Sequence, residues 1–296
     1  MAAERFGDVE IVSMDSMQVY RGMDIGTAKP SRTDQGGVRH HMIDVAEPSE
    51  DFSVARFQAE ARAAIADIEA RGRRALLVGG TGLYLQAVID DLGFPGEDLA
   101  LRARLDAPLD EPAALAAAYE ALAIQDPLAA SRIEPGNRRR IVRALEVMEL
   151  TGRPFSSFGS GIGGVHEPVV SVRIAGLAVE TAETSRRIEA RVDEMVQRGL
   201  LDEVRGLAAA PWSRTARQAI GYKETLSFLN GEIAAFAQAV VLTAQRSRRF
   251  ARRQRAWYRR NDRIEWFNVA ESPTLGGPGE KSSSPVEAVM AWWSPS

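Results

Sequence analysis

With 296 residues, 45% of them apolar and 26% charged, the chain is long enough to bury one substantial core with a smaller inserted or appended unit. It has no cysteine, and its only imidazoles are His40, His41 and His166, which excludes disulfides, thiolate-held zinc, iron–sulfur clusters and thiol nucleophiles but leaves an oxygen-liganded magnesium ion open. No apolar run reaches about 18 residues and no signal-peptide pattern occurs, so a cytoplasmic protein is expected; the formal net charge of −3 does not by itself indicate a nucleic-acid partner.

Residues 9–14 form a short β-branched and apolar run that ends at Asp15, the pattern of a buried strand delivering a carboxylate at its C-terminal end. In open α/β sheets ligands bind at that end. A helix is predicted over residues 52–71, with Phe57, Ala61, Ile65 and Ile68 at helical spacing and Gly72 as its stop. Residues 75–78 then read as a second buried strand, which runs into Gly79-Gly80-Thr81-Gly82 and a helix over 83–89. Strand, glycine turn and helix in this order indicate an α/β fold with a parallel sheet.

Gly93, Pro95 and Gly96 break the composition, and from residue 99 to 150 the pattern is helical and alanine-rich, closing on Arg138, Arg139, Arg140 and Arg143. Residues 158–167 are glycine-rich and read as a mobile loop, and residues 171–179 return to strand character. The expected organisation is a core of residues 1–96 and 169–268, a helical insertion at 97–168, and a loosely ordered tail at 269–296 rich in Ser, Gly and Pro. Residues 181–260 are helical by period, with breaks near Pro211 and Gly221.

Basic charge is carried almost wholly by arginine, since only Lys29, Lys223 and Lys281 are lysines. Between Glu232 and Asp262 no acidic residue occurs, and the gap holds Arg246, Arg248, Arg249, Arg252, Arg253, Arg255, Arg259 and Arg260. Phe250, Gln254 and Trp257 lie at i, i+4 and i+7, so the aromatics of that stripe are expected on the core and the arginines toward solvent or phosphate. Taken one at a time, the other residues have ordinary readings: Asp15 as a turn or N-cap aspartate, the glycine run as a tight turn, Lys29 as a solvated lysine, and Arg139 to Arg143 as a solvated helix face. Tyr222 fits a core aromatic and a stacking platform equally well.

The string Asp15-Ser16-Met17-Gln18-Val19-Tyr20-Arg21-Gly22-Met23-Asp24-Ile25-Gly26-Thr27-Ala28-Lys29-Pro30 resembles the tRNA dimethylallyltransferase family. The likeness continues through His40-His41-Met42-Ile43-Asp44, Gly79-Gly80-Thr81-Gly82-Leu83-Tyr84, Arg140-Ile141-Val142-Arg143-Ala144-Leu145-Glu146, Gly199-Leu200-Leu201-Asp202-Glu203-Val204 and Ile220-Gly221-Tyr222-Lys223-Glu224, and ends at Arg253-Gln254-Arg255-Ala256-Trp257-Tyr258-Arg259-Arg260. It implies a P-loop-type α/β core with a helical insertion, and transfer of a dimethylallyl group from dimethylallyl diphosphate to N6 of the adenosine just 3′ of a tRNA anticodon, with Mg²⁺. By the same resemblance Asp15 is the general base, Thr81 stands at the reaction channel, and Ser16, Met17 and Gln18 line the pocket of the flipped base. Arg102, Arg139, Arg140, Ile141, Val142 and Arg143 in the insertion, with Gln218, Tyr222 and Lys223, are the further expected tRNA contacts of an enzyme working as a monomer.

Such enzymes also carry a Walker-type glycine loop about thirty residues before the aspartate, and no G-x-x-x-x-G-K-[ST] occurs in this chain. A start codon set too far downstream is the simplest expectation, with loss of activity in the chain as it stands. Two alternatives differ in kind: prenylation of a free adenine nucleotide, against which the basic helix argues, and a non-catalytic tRNA-binding remnant.

Overall fold

The computed structural model describes residues 6–90, 92–159 and 168–269, together with Val289, Trp292 and Trp293. Two compact units emerge, residues 1–90 with 168–296, and residues 91–167. The second unit starts a few residues before the expected position 97, because its own side chains hold that stretch. Arg143 donates to the carbonyls of Pro95 (2.8 Å) and Gly96 (3.1 Å), and the Asp98 amide donates to Glu146 (2.9 Å).

In the first unit, β1 (Val9–Ser13) is buried at four of its five positions. A one-turn helix α1 (Arg32–Gln35), capped reciprocally by Ser31 and Asp34, leads to the two-residue β2 (His40–His41). Helix α2 (Val54–Ala70) starts at Ser53, whose hydroxyl accepts from the Arg56 amide, and buries Phe57, Ala61, Ile65 and Ile68, the face its spacing predicts. Gly72, at φ 68°, ends it. Then come β3 (Arg74–Val78) and α3 (Gly82–Asp90). The strands are parallel in the order β2-β1-β3, with Ser13 opposite Val78.

The second unit is helical: α4 (Leu99–Asp106), a 3₁₀ turn at Ala107–Asp110, α5 (Pro112–Gln125), α6 (Pro127–Ala130), α7 (Arg138–Thr151) and α8 (Ser156–Gly159). Pro112 and Pro127 each occupy a first helical position, which cuts the continuous alanine-rich pattern into separate helices. Leu122, Ala129, Ala130, Ile133, Ile141 and Ala144 form its core. Of the expected mobile loop, residues 160–167 lie outside the described residues.

The first unit resumes with β4 (Ile174–Ala178), α9 (Thr181–Gln197), α10 (Leu200–Leu207), a 3₁₀ turn at Ala216–Gln218, α11 (Tyr222–Leu229), α12 (Phe236–Tyr258) and β5 (Ile264–Asn268). β5 pairs parallel with β4, so the described strands form a three-stranded and a two-stranded parallel sheet. Most of the expected loose tail lies outside the described residues. Trp292 and Trp293 are an exception: Trp293 packs edge-on against Phe6, and Trp292 against Phe267.

A buried carboxylate ties β1 to α2. Glu10 is 2% exposed; it accepts from Arg71 Nη2 at 2.8 Å and contacts His41 Nε2 at 2.7 Å, with Arg73 at 3.6 Å. The Arg71 hydrogen bond, aided by His41 and opposed by burial, lowers its pKa from 4.5 to about 2. A depressed folded-state carboxyl stabilises fully above its unfolded value and loses that contribution as pH falls through the folded one. The loss of melting temperature between pH 4.5 and about pH 2 is therefore expected to be smaller in Glu10→Gln than in the parent chain. Equal losses would remove Glu10 from the acid response.

Candidate functional site

Because β1 and β3 run in register and the Met14 amide donates to the Val78 carbonyl (2.7 Å), the residues that leave both strands share one edge of the sheet. These are Asp15 on one strand and Gly79 to Thr81 on the other. Glycine is required at 79, since a Cβ there would lie 2.6 Å from the Met14 carbonyl carbon.

Asp15 is half-buried, and its Oδ1 accepts from the amides of Met17 (2.8 Å) and Gln18 (3.3 Å). This is the turn geometry its local sequence suggests. The other carboxylate oxygen has no hydrogen-bond partner among the described residues, so turn formation and proton acceptance use different atoms. Gln18 is more committed than expected: its Oε1 accepts from the Ser13 hydroxyl (2.9 Å), and its Nε2 donates to the carbonyls of Thr27 (3.3 Å) and Ala28 (3.4 Å). It braces the loop, and Met17 packs against the main core. Ser16 is half-buried beside them.

The loop from Tyr20 to Lys29 is pinned from two sides. Lys29, expected to be solvated, is 7% exposed; its ammonium donates to the Tyr20 carbonyl (2.7 Å), Asp24 (2.6 Å) and Asp44 (2.6 Å). Three polar partners offset the cost of burying the charge. From the other side Glu203 on α10 accepts from the amides of Asp24 (3.1 Å), Ile25 (2.8 Å) and Gly26 (3.4 Å) and from the Tyr222 hydroxyl (2.5 Å). A Cβ on Gly26 would fall 2.4 Å from the Tyr222 ring. Tyr222 is fully buried, which resolves its two readings in favour of a core aromatic and leaves no ring face for a base. The Gly26 amide also donates to the Tyr222 hydroxyl (3.1 Å), so Glu203→Ala strands the amides of Asp24 and Ile25 and the phenol proton; a loss of about 2 kcal/mol in urea unfolding is expected, with Glu203→Gln in between; no change would mean the loop holds itself.

The glycine turn at 79–82 is fixed by α12. Gln254 Nε2 donates to the Gly80 carbonyl (2.9 Å), and a Cβ on Gly82 would lie 2.2 Å from the Trp257 ring. Thr81 precedes α3, its carbonyl accepting from the amides of Tyr84 and Leu85. Trp257 thus faces inward as its spacing predicts, with Gln254 beside it, whereas Phe250 is 38% exposed, contrary to expectation, with the Arg253 guanidinium over its ring. On α12, Arg246 and Arg248 pair with Glu224 and Glu189 of neighbouring helices, partners a local acid-free window cannot reveal. Arg249, Arg252, Arg253, Arg259 and Arg260 are exposed, with no carboxylate partner among the described residues.

In the helical unit the expected tRNA contacts divide. Arg139 and Arg140 are exposed and carry no carboxylate partner among the described residues. Ile141 and Val142 are buried, so their side chains hold the arginines in place rather than meeting a ligand. Arg102 and Arg143 both bind the buried Glu146 at 2.9 Å and are structural first. In the other unit, exposed Gln218 accepts from Lys223 (2.7 Å) ahead of α11.

A parallel α/β core with an unshared carboxylate oxygen beside a glycine–threonine turn, and a carboxylate-free arginine surface on its last long helix, defines an α/β enzyme working at the carboxyl edge of its sheet on phosphate-bearing substrates. The comparisons narrow the class. The IPP transferase family model matches residues 18–261. The tRNA dimethylallyltransferase of Salinispora tropica is 49% identical over 267 residues, covering 90% of this chain and 82% of that protein. Among solved structures, the tRNA isopentenylpyrophosphate transferase of Bacillus halodurans matches with a TM-score of 0.62 at 41% identity, covering 90% and 84% of the two chains. A eukaryotic dimethylallyltransferase acting on tRNA matches with a TM-score of 0.71 at 26% identity, covering 90% and 68%. This chain belongs to the IPP transferase family, the family of the tRNA dimethylallyltransferases.

Proposed function

We propose that the protein transfers the dimethylallyl group of dimethylallyl diphosphate to N6 of the adenosine 3′ of a tRNA anticodon, with Asp15 as general base. The observation that carries the residue assignment is the unshared Asp15 oxygen on the edge that also bears Thr81. The adenine amine is a weak nucleophile because its lone pair is delocalised into the ring. As the N6–C1 bond forms, the C1–O bond breaks, the diphosphate leaves with the electron pair, and the N6 proton passes to Asp15. Thr81 supports the channel through which the two substrates meet. Ser16 and the braced loop behind Gln18 shape the base pocket, and Arg139, Arg140, Gln218 and Lys223 are the remaining candidates for tRNA contact.

Among the described residues no group of three Asp, Glu or His side chains is suited to hold a metal. We assign Mg²⁺ to the diphosphate, since this ion is usually bound through substrate phosphates and retained waters. No helix among the described residues is long and apolar enough to cross a membrane. The test offers labelled dimethylallyl diphosphate with either an anticodon stem-loop or adenosine monophosphate. Label is expected on the stem-loop; label on the free nucleotide would redirect the reading to a nucleotide prenyltransferase.

A further inference from the structure

Parallel strands need cover on both faces, and the two faces of the three-stranded sheet are covered differently. Side chains alternate along a strand, so Val12, Ala75 and Leu77 turn to one face and pack in the main core with Phe57, Ala61, Ile65 and Ile68 of α2. Val9, Ile11 and Leu76 turn to the other, where Phe6, Val38 and Trp293 complete their hydrophobic cluster among the described residues. Trp293 thus comes back from the far end of the sequence to cover the strands that open it. Its ring meets Phe6 edge-on with centroids 5.0 Å apart, and the Arg74 guanidinium lies 4.9 Å from the Trp293 ring and 5.2 Å from that of Phe6. Asp8 holds this guanidinium through two hydrogen bonds of 2.8 Å.

The preceding residue does the same on the two-stranded sheet. Trp292 sits edge-on to Phe267 of β5 with centroids 5.9 Å apart, and the Arg173 guanidinium lies 4.2 Å from its ring. Its indole N–H donates to Glu265, and its carbonyl accepts from Arg173. Glu265 and Phe267 are two apart on β5 and so share a face. Among the described residues no strand pair joins the two sheets, yet these neighbouring tryptophans, with Cα atoms about 3.8 Å apart, each grip one of them. We propose that Trp292-Trp293 is a docking motif that clips the two sheets together, and that Phe6, Arg74, Arg173, Glu265 and Phe267 form its receptor surface. Recognition rests on ring edges and guanidinium cations against indole faces, with one indole donor on a carboxylate, none of which an aliphatic pair would satisfy. Phe6, Arg74 and Arg173 stand at or shortly before the first residues of β1, β3 and β4. The clip therefore lies at the amino end of the sheets, whereas Asp15 and Thr81 leave their carboxyl end, and the inference does not rest on the transfer chemistry.

The test follows thermal unfolding of the full chain and of Trp292→Ala, Trp293→Ala, Trp293→Phe and the double alanine variant. Each alanine change is expected to lower Tm by about 2 °C or more, and the double change by more than either alone. Trp293→Phe keeps an aromatic face for Phe6 and Arg74 and is expected to retain most of the parent Tm. Contact with Arg74 is tested separately: Trp293→Ala is expected to cost less in an Arg74→Gln background than in the parent, because part of what it removes is already gone. Sedimentation of the parent and the double variant, expected to show the same species, establishes whose surface the tryptophans occupy. Equal Tm in the parent and the double alanine variant, or the same loss from Trp293→Ala in both backgrounds, overturns the clip. A parent that sediments as a dimer and a double variant that sediments as a monomer would seat the motif on a second copy and overturn the assignment to the chain's own sheets.

Discussion

Asp15→Asn is expected to slow prenyl transfer by about 100-fold to 10,000-fold and to leave stem-loop affinity within about twofold of the parent. The asparagine carbonyl can still accept from the amides of Met17 and Gln18, so the turn that follows β1 survives. What disappears is the anionic oxygen without a partner, the only part of the side chain assigned to chemistry. Asp15→Ala removes both functions and is expected to lose stability as well. Comparable losses of rate and affinity in the asparagine variant would make Asp15 a shaping residue and would require another base.

The second large effect is expected at Glu146. This carboxylate is fully buried and accepts from Arg102 (2.9 Å), Arg143 (2.9 Å) and the Asp98 amide (2.9 Å), so it joins α7 to the start of α4. Burial alone would raise its pKa, but the Arg102, Asp98 and Arg143 hydrogen bonds outweigh it and lower the carboxyl below its usual value. Glu146→Ala leaves two guanidinium groups without their shared anion. Since both remain about a fifth exposed, water recovers part of the loss, and about 3 kcal/mol is expected, near the bottom of the range for broken buried pairs. Urea unfolding and limited proteolysis would place the loss in residues 92–159. The contribution is present above the ordinary glutamate pKa of 4.5 and fades as pH falls through the lower folded value, so parent and variant are expected to converge in acid. An unchanged midpoint near neutral pH would show that the helices pack without the ion cluster.

The parts of the fold that were legible in the sequence are those whose signal is local. The apolar run ending at Asp15, the spacing of Phe57, Ala61, Ile65 and Ile68, and the strand running into Gly79-Gly80-Thr81-Gly82 each announce their element within a few residues. β2 has two residues and β5 exposes Glu265 and Trp266, so neither carries a periodic signature. Lys29 was misread for another reason: its partners stand at positions 24 and 44, and only the folded loop brings them together. Glu203 lies 177 to 179 residues from the amides it clamps, a pairing no single-sequence window contains. The family resemblance marked these blocks without explaining them; in the structure Glu203, Tyr222, Gln254 and Trp257 hold the two loops of the site.

The most direct measurement is transfer of labelled dimethylallyl to two anticodon stem-loops, one with adenosine 3′ of the anticodon and one with inosine there, assayed on this chain and on its reading frame extended upstream. The account expects label on the adenosine stem-loop alone, recovered as N6-(dimethylallyl)adenosine and lost in Asp15→Asn. Equal labelling of the inosine stem-loop, or none on either RNA in both forms of the protein, would contradict it.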